Sequence, residues 1–118
     1  MHGVEKMPVY KLGSHGKKRI FASFKQMDEV NQWVGLMFSR KVTKPLLFSG
    51  NGKISIHSFF CPVFEAVFLD KSGKIVKAVK VKPWTPLVAA KAFFLFEMPP
   101  GTVSKYLLKR GDALQWTN

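Results

Sequence analysis

Apolar and polar residues follow two different rhythms along this chain. In residues 19–24, Ile20, Ala22 and Phe24 alternate with Arg19, Phe21 and Ser23, a period of two that predicts a strand. Residues 8–12 (PVYKL) predict a strand before it, with the breaker cluster Gly13-Ser14-His15-Gly16-Lys17-Lys18 between. The rhythm then lengthens. Met27, Val30, Trp33, Val34 and Met37 recur at three- and four-residue spacing, which predicts one substantial helix over residues 28–36, with Gly35 near its stop.

Short extended runs return after that helix. Residues 45–48 (PLLF) end in Ser49-Gly50-Asn51-Gly52, a turn of residues that tolerate positive φ. Residues 54–60 and 63–69 are apolar on both faces, the pattern of inner strands rather than of a sheet with one wet side. Asp70-Lys71-Ser72-Gly73-Lys74 predicts a hairpin with Gly73 in the left-handed region. The return strand sets Val76, Ala78, Lys80 and Lys82 on one face and Ile75, Lys77, Val79 and Val81 on the other, and Pro83 ends it. Residues 92–98 are another two-sided strand. A short helix then follows Pro99-Pro100-Gly101, with Thr102 as N-cap, Val103, Tyr106 and Leu107 inward, and Gly111 as its left-handed C-terminal residue. Residues 112–116 close as a strand. About seven short strands with one or two short α-helices predict a mainly β, single-domain, jelly-roll-like β-sandwich or barrel. Residues 1–18 supply an N-terminal strand and basic loop, and residues 19–118 the sandwich.

Composition narrows the class. A chain of 118 residues builds one core and not two. Its longest apolar runs, residues 61–69 and 88–96, are interrupted by Glu65 and Lys91, so no run reaches the roughly 18 residues of a spanning helix. The first residues show no apolar segment ahead of a cleavage site, so no secretory signal is expected. Cys61 is the sole cysteine, so it forms no internal disulfide, and with three scattered histidines it makes no zinc framework. No cofactor motif and no metal set is present, and the expected compartment is a reducing cytoplasm.

Charge changes the picture most. Nineteen basic residues against seven acidic give +12, and all but Arg19, Arg40 and Arg110 of the basic ones are lysines. Such a field attracts nucleic acid or an acidic membrane surface. So few arginine forks imply backbone-led rather than base-reading contact. The candidate polyanion patch is Lys17, Lys18 and Arg19 with Lys80 and Lys82. The plain alternative is a solvated lysine coat that only confers solubility.

Several spaced motifs together carry a resemblance. They are Gly35-Leu36-Met37, His57-Ser58-Phe59-Phe60, Glu65 within an apolar strand, Asp70 with Gly73, and Pro83-Trp84. Glu97-Met98-Pro99-Pro100-Gly101 and Gly111-Asp112 complete the set. In this order, over roughly residues 20–116, the chain resembles the prokaryotic family called domain of unknown function 192. The resemblance implies a mainly β, jelly-roll-like sandwich and carries no activity, cofactor or catalytic residue. Two departures stand out. Glu65 replaces the family's aspartate, and Cys61-Pro62 replaces its Met-Arg pair in a segment one residue shorter.

Candidate chemistry centres on Glu65, which alternation sends to the face of Val63, Val67 and Leu69. A buried carboxylate must be paired, hydrogen-bonded or protonated. Trp84, His57, Lys77 and Lys82 are the donors within sequence reach. Three readings stay open: an internal network that fixes strand register, the polar anchor of an apolar pocket formed with His57 and Trp84, or a general base. His57 and Cys61, four apart on an expected strand, would lie about 13 Å from each other, too far for a nucleophile couple. Glu97 and Asp112 are expected to bond backbone or lysine at strand ends. No acid–base pair, nucleophile elbow or phosphate loop is present. The first reading of function is a non-enzymatic binding domain for a small ligand or a protein. The second is nucleic-acid binding through lysines, and a hydrolase or transferase using Glu65 and His57 is the minor one.

Overall fold

The structure, a computed structural model, describes residues 7–27 and 43–116. The expected helix over residues 28–36 and the Gly35-Leu36-Met37 motif lie outside the described residues. Ten strands and one short helix follow in chain order among the described residues: β1 (Val9–Gly13), β2 (Gly16–Phe21), β3 (Lys25–Gln26), β4 (Leu46–Ser49), β5 (Ile54–Ile56), β6 (Phe64–Leu69), β7 (Ile75–Val81), β8 (Val88–Ala90), β9 (Phe94–Met98), α1 (Thr102–Lys105) and β10 (Leu114–Trp116). No helix among the described residues is long and apolar enough to cross a membrane.

The fold is built around β6, all six residues of which are buried. It is an inner strand of a five-stranded sheet, order β3-β4-β9-β6-β7, mostly antiparallel with a parallel β3–β4 pair. The two-sided apolar pattern of residues 63–69 and 92–98 has its cause here, because both faces of this sheet are covered. Phe64, Ala66, Phe68 and Leu95 pack one way with Ile54 and Ala92, beside the β5–β8 pair. Val67, Leu69, Phe96 and Met98 pack the other way with Val9, Ile20 and Leu114 of the β10-β1-β2 sheet. The protein is a mainly β, sandwich-like domain, as the strand pattern predicts.

Several local expectations are corrected. Strand β2 begins at Gly16, so Lys17 and Lys18 lie on a hairpin arm and not in a loop. The run 54–60 is a strand only to Ile56, because Phe60 takes a φ of 61° and the Cys61 amide turns back to the Ser58 carbonyl. A bulge in the β6–β7 ladder pairs Leu69 with Ile75 and Phe68 with Lys77, leaving Val76 over. Ile75 therefore joins the face of Ala78 and Lys80, while Val76, Val79 and Val81 share the other. Gly101, not Thr102, is the N-cap of α1, and the Thr102 hydroxyl donates to the Pro99 carbonyl instead. Leu107 is 72% exposed and Leu108 is buried in its place, since a φ of 54° at Leu107 turns the chain.

The β6–β7 hairpin forms as its residues dictate. The Asp70 carboxylate accepts from the amides of Ser72 and Lys74 and from the Ser72 hydroxyl, led by the last of these in holding its pKa below the usual carboxylate value. Gly73 has a φ of 88°, and a Cβ there would stand 2.7 Å from the Leu114 carbonyl oxygen. Gly73→Ala is expected to cost about 2–3 kcal/mol, for strained backbone and a forced shift of β10. Gly16→Ala, where φ is 113° but nothing lies within 4 Å, is expected to cost only about 1 kcal/mol. Urea denaturation of the two variants checks the order.

Candidate functional site

The register gathers the candidate residues at one end of the central sheet. Phe64 pairs with Val81 and Glu65 with Met98, so the loops before β6, after β7 and after β9 emerge together. These loops carry His57, Trp84 and α1.

Glu65 is buried, and its Oε1 accepts the Val103 amide at 2.8 Å. Its partner is the first turn of α1, not the indole, imidazole or lysines expected from the sequence. A helix start has unpaired amides, and Gly101 has no side chain to cap one, so Glu65 does so from the neighbouring sheet. Among the described hydrogen bonds and ion pairs none joins Glu65 to His57 or Trp84.

His57 and Trp84 do come together, through aromatic neighbours. The His57 and Phe59 ring centroids are 5.0 Å apart, Phe59 and Trp84 5.9 Å, and Phe60 and Trp84 4.8 Å. Trp84 is 60% exposed and Phe60 50%. Both hold positive φ, 65° and 61°, a region that bulky residues avoid and that costs about 1–3 kcal/mol per residue. Ser58, fully buried, keeps them there. Its hydroxyl donates to the Lys82 carbonyl and accepts the Thr85 amide at 2.7 Å. Its own amide donates to the Thr85 carbonyl, and its carbonyl accepts from the Trp84 and Cys61 amides. The sequence reading missed Ser58 as well as the roles of Phe59 and Phe60. The signal was the His57-Ser58-Phe59-Phe60 motif itself, where a small hydroxyl precedes two aromatics.

No Cys–His couple forms here, though not because a strand separates the two residues. His57 Nδ1 accepts the Phe59 amide at 3.1 Å, and the Cys61 thiol points to the Phe59 carbonyl at 3.5 Å. Burial, and secondarily the charge of Glu97, pushes the Cys61 thiol up to about 11, so it is protonated and a poor nucleophile.

Glu97 differs from the expectation of a backbone or lysine partner. On β9 it lies between Leu95 and the chain end of the strand, opposite Leu46 and Ala66 in the ladders. It is buried, and its Oε1 has no hydrogen-bond partner. Burial pushes its carboxyl up to about 8. Asp112 behaves as expected, accepting the Lys109 amide at 3.1 Å and pairing with Lys11 at 3.7 Å.

The cationic patch is divided by the strand pleat. Leu12 pairs with Lys17 and Lys11 with Lys18, so Lys17 and Arg19 share one face of the hairpin and Lys18 the other. Lys17 Nζ stands 4.4 Å over the Tyr10 ring, whereas Lys18 and Lys105 stand 5.6 and 5.2 Å from the Tyr106 ring beside α1. Lys80 is the cross-strand neighbour of Glu65, so the two share the sheet face on which α1 lies. Among the described residues no group of three or more His, Cys, Asp or Glu side chains could hold a metal ion.

No protein-family model and no curated protein matches the sequence. Two solved structures share the fold. A protein of unknown function from Novosphingobium aromaticivorans DSM 12444 is similar with a TM-score of 0.76 at 17% identity, over 92% of this chain and 84% of that one. A "putative transcription regulator" from Sinorhizobium meliloti 1021 is similar with a TM-score of 0.79 at 17% identity, over 98% of this chain and 97% of that one.

A carboxyl whose folded pKa exceeds its unfolded one binds its proton more tightly in the fold, so its contribution falls as pH rises between the two values. For Glu97 that window runs from the ordinary 4.5 to about 8. Glu97→Gln is expected to remove this slope. The variant gains on wild type on the order of 3–4 kcal/mol between the acidic and alkaline ends of the window, read by urea denaturation at several pH values.

Proposed function

We propose that this chain is a binding domain without a reaction of its own, and that it receives a ring-shaped ligand on the aromatic cluster in which exposed His57, Phe60 and Trp84 surround half-buried Phe59. The observation that carries this is the pair of aromatics, Phe60 and Trp84, held at positive φ and half or more exposed. Backbone strain and exposed apolar rings both oppose folding, and their coincidence on one rigid clasp marks a site selected for contact. A tryptophan face so presented stacks on a planar or ring-shaped ligand, such as a nucleobase or a sugar.

The reading keeps His57 and Trp84 from the sequence-based candidates and gives Glu65 a supporting part. Glu65 orders α1 rather than anchoring a pocket, because its Oε1 is committed to the Val103 amide. The engagement of His57 Nδ1 and Glu65 Oε1 by backbone amides and the raised pKa of the Cys61 thiol favour binding over catalysis. Membership in domain of unknown function 192 belongs to the same proposal, on the motifs quoted above, as does a cytoplasmic site of action.

Titration with mononucleotides and with short oligosaccharides, followed by tryptophan fluorescence, tests the platform. One class is expected to quench wild type saturably. Trp84→Ala is expected to abolish that response while leaving the melting temperature unchanged, because the ring is mostly in solvent. Glu65→Ala is expected to do the reverse, costing about 1–3 kcal/mol of stability for an orphaned helix amide and sparing the quench. Absence of quenching by every compound, or a quench that survives Trp84→Ala, refutes the reading.

A further inference from the structure

Lysines lead from the aromatic cluster along β7 and across the sheet register to α1 and β2. Lys82 lies two residues before Trp84, and Lys80 lies two residues earlier, at the end of β7. Lys80 faces the side on which Glu65 holds α1. The last turn of α1 carries Lys105, which shares the Tyr106 ring with Lys18 of β2. All four lysines are exposed. Contact with the Tyr106 ring restrains the ammonium groups of both Lys18 and Lys105, which lowers the ordering cost of binding an anion there.

The acids make this series stand out. Four of the seven acidic residues are described, and none faces the series as a free surface charge. Glu65 and Glu97 are buried, Asp112 pairs with Lys11, and Asp70 is engaged in the hairpin at the far end of β6. Lys11 itself is tied down, donating to the carbonyls of Tyr106 and Leu107.

On the preceding reading of the platform, we propose that the partner is single-stranded nucleic acid, its phosphates following Lys82, Lys80, Lys105 and Lys18 while a base stacks on Trp84. Duplex hides its base faces inside the stack, so an exposed tryptophan at the end of a cationic series fits a single strand. The series uses lysine point charges without an arginine fork, which matches backbone contact with little sequence preference.

Fluorescence anisotropy of a short labelled oligothymidylate, between about 50 and 200 mM salt, tests this. Four phosphate contacts give an expected slope of log affinity against log salt of about −3 for a single strand. The double variant Lys18→Gln, Lys105→Gln is expected to bring it to about −1.5. Trp84→Ala is expected to weaken binding about tenfold and leave the slope unchanged. No binding near 150 mM salt, or an unchanged slope in the lysine variant, overturns the proposal. So does equal competition by duplex DNA or by anionic lipid vesicles, which would mark the surface as a general polyanion or membrane contact. A slope that falls with the lysines while Trp84→Ala changes nothing defeats the platform and leaves the phosphate series standing. Nucleotide quenching that depends on Trp84 without any salt-sensitive oligonucleotide binding defeats the series and leaves the platform standing.

Discussion

Burial of β6 on both faces is the constraint from which the rest of the arrangement follows. A strand with no wet side has no water to satisfy a polar side chain, so any charge on it needs a partner brought in by another element. Glu65 sits on that strand, and its partner is the first turn of α1. The dependence is mutual. A helix of four residues with a glycine N-cap is too short to be stable alone, and a carboxylate at its N-terminal amides supplies what its own sequence lacks. One hydrogen bond thus satisfies a buried acid and fixes the position of Lys105 and Tyr106 over the hairpin.

Much of this was legible in the pattern of the chain. Short apolar runs bounded by turn residues locate most of the strands, though not β3 or β8. The period-two run at residues 19–24 overlaps β2 only as far as Phe21, while two-sided apolar runs identify β6 and β9 as inner strands. The Asp70–Lys74 turn is read correctly because its chemistry is local: one aspartate, one glycine and their own backbone. What the sequence does not reveal are choices made by distant elements. Alternation puts Ile75 on the wrong face because a bulge, set by pairing with β6, leaves Val76 over. It places Glu65 inward correctly but names the wrong donor, since the donor lies thirty-eight residues away on an element that local spacing cannot dock. Glu97 shows the same signal as Glu65, one acid in an apolar strand, and its lack of a partner is a fact of packing alone.

The aromatic cluster shows how a rigid scaffold sustains a strained surface. Two bulky residues at positive φ would relax if their loops were free. They are held because the loop before β6 and the loop after β7 are joined through Ser58, whose amide, carbonyl and hydroxyl are all engaged. The hydroxyl is the smallest group that can both donate and accept within a fully buried site. This gives the His57-Ser58-Phe59-Phe60 motif a physical meaning: the serine closes the clasp, and the flanking aromatics are what the clasp displays.

Two buried acids on opposite faces of one sheet meet the same cost by different means. Glu65 takes an amide, whereas Glu97, with an orphan oxygen and a carboxyl raised to about 8, takes a proton. The formal charge of +12 counts Glu97 as ionised, whereas burial shifts this carboxyl toward its neutral form in the fold. Among the described residues, burying and pairing acids thus leaves the exterior at the α1 end with cations and no free acid to offset them. On the proposed reading, the field at that end is set as much by where the fold hides its described carboxyl groups as by how many lysines it carries.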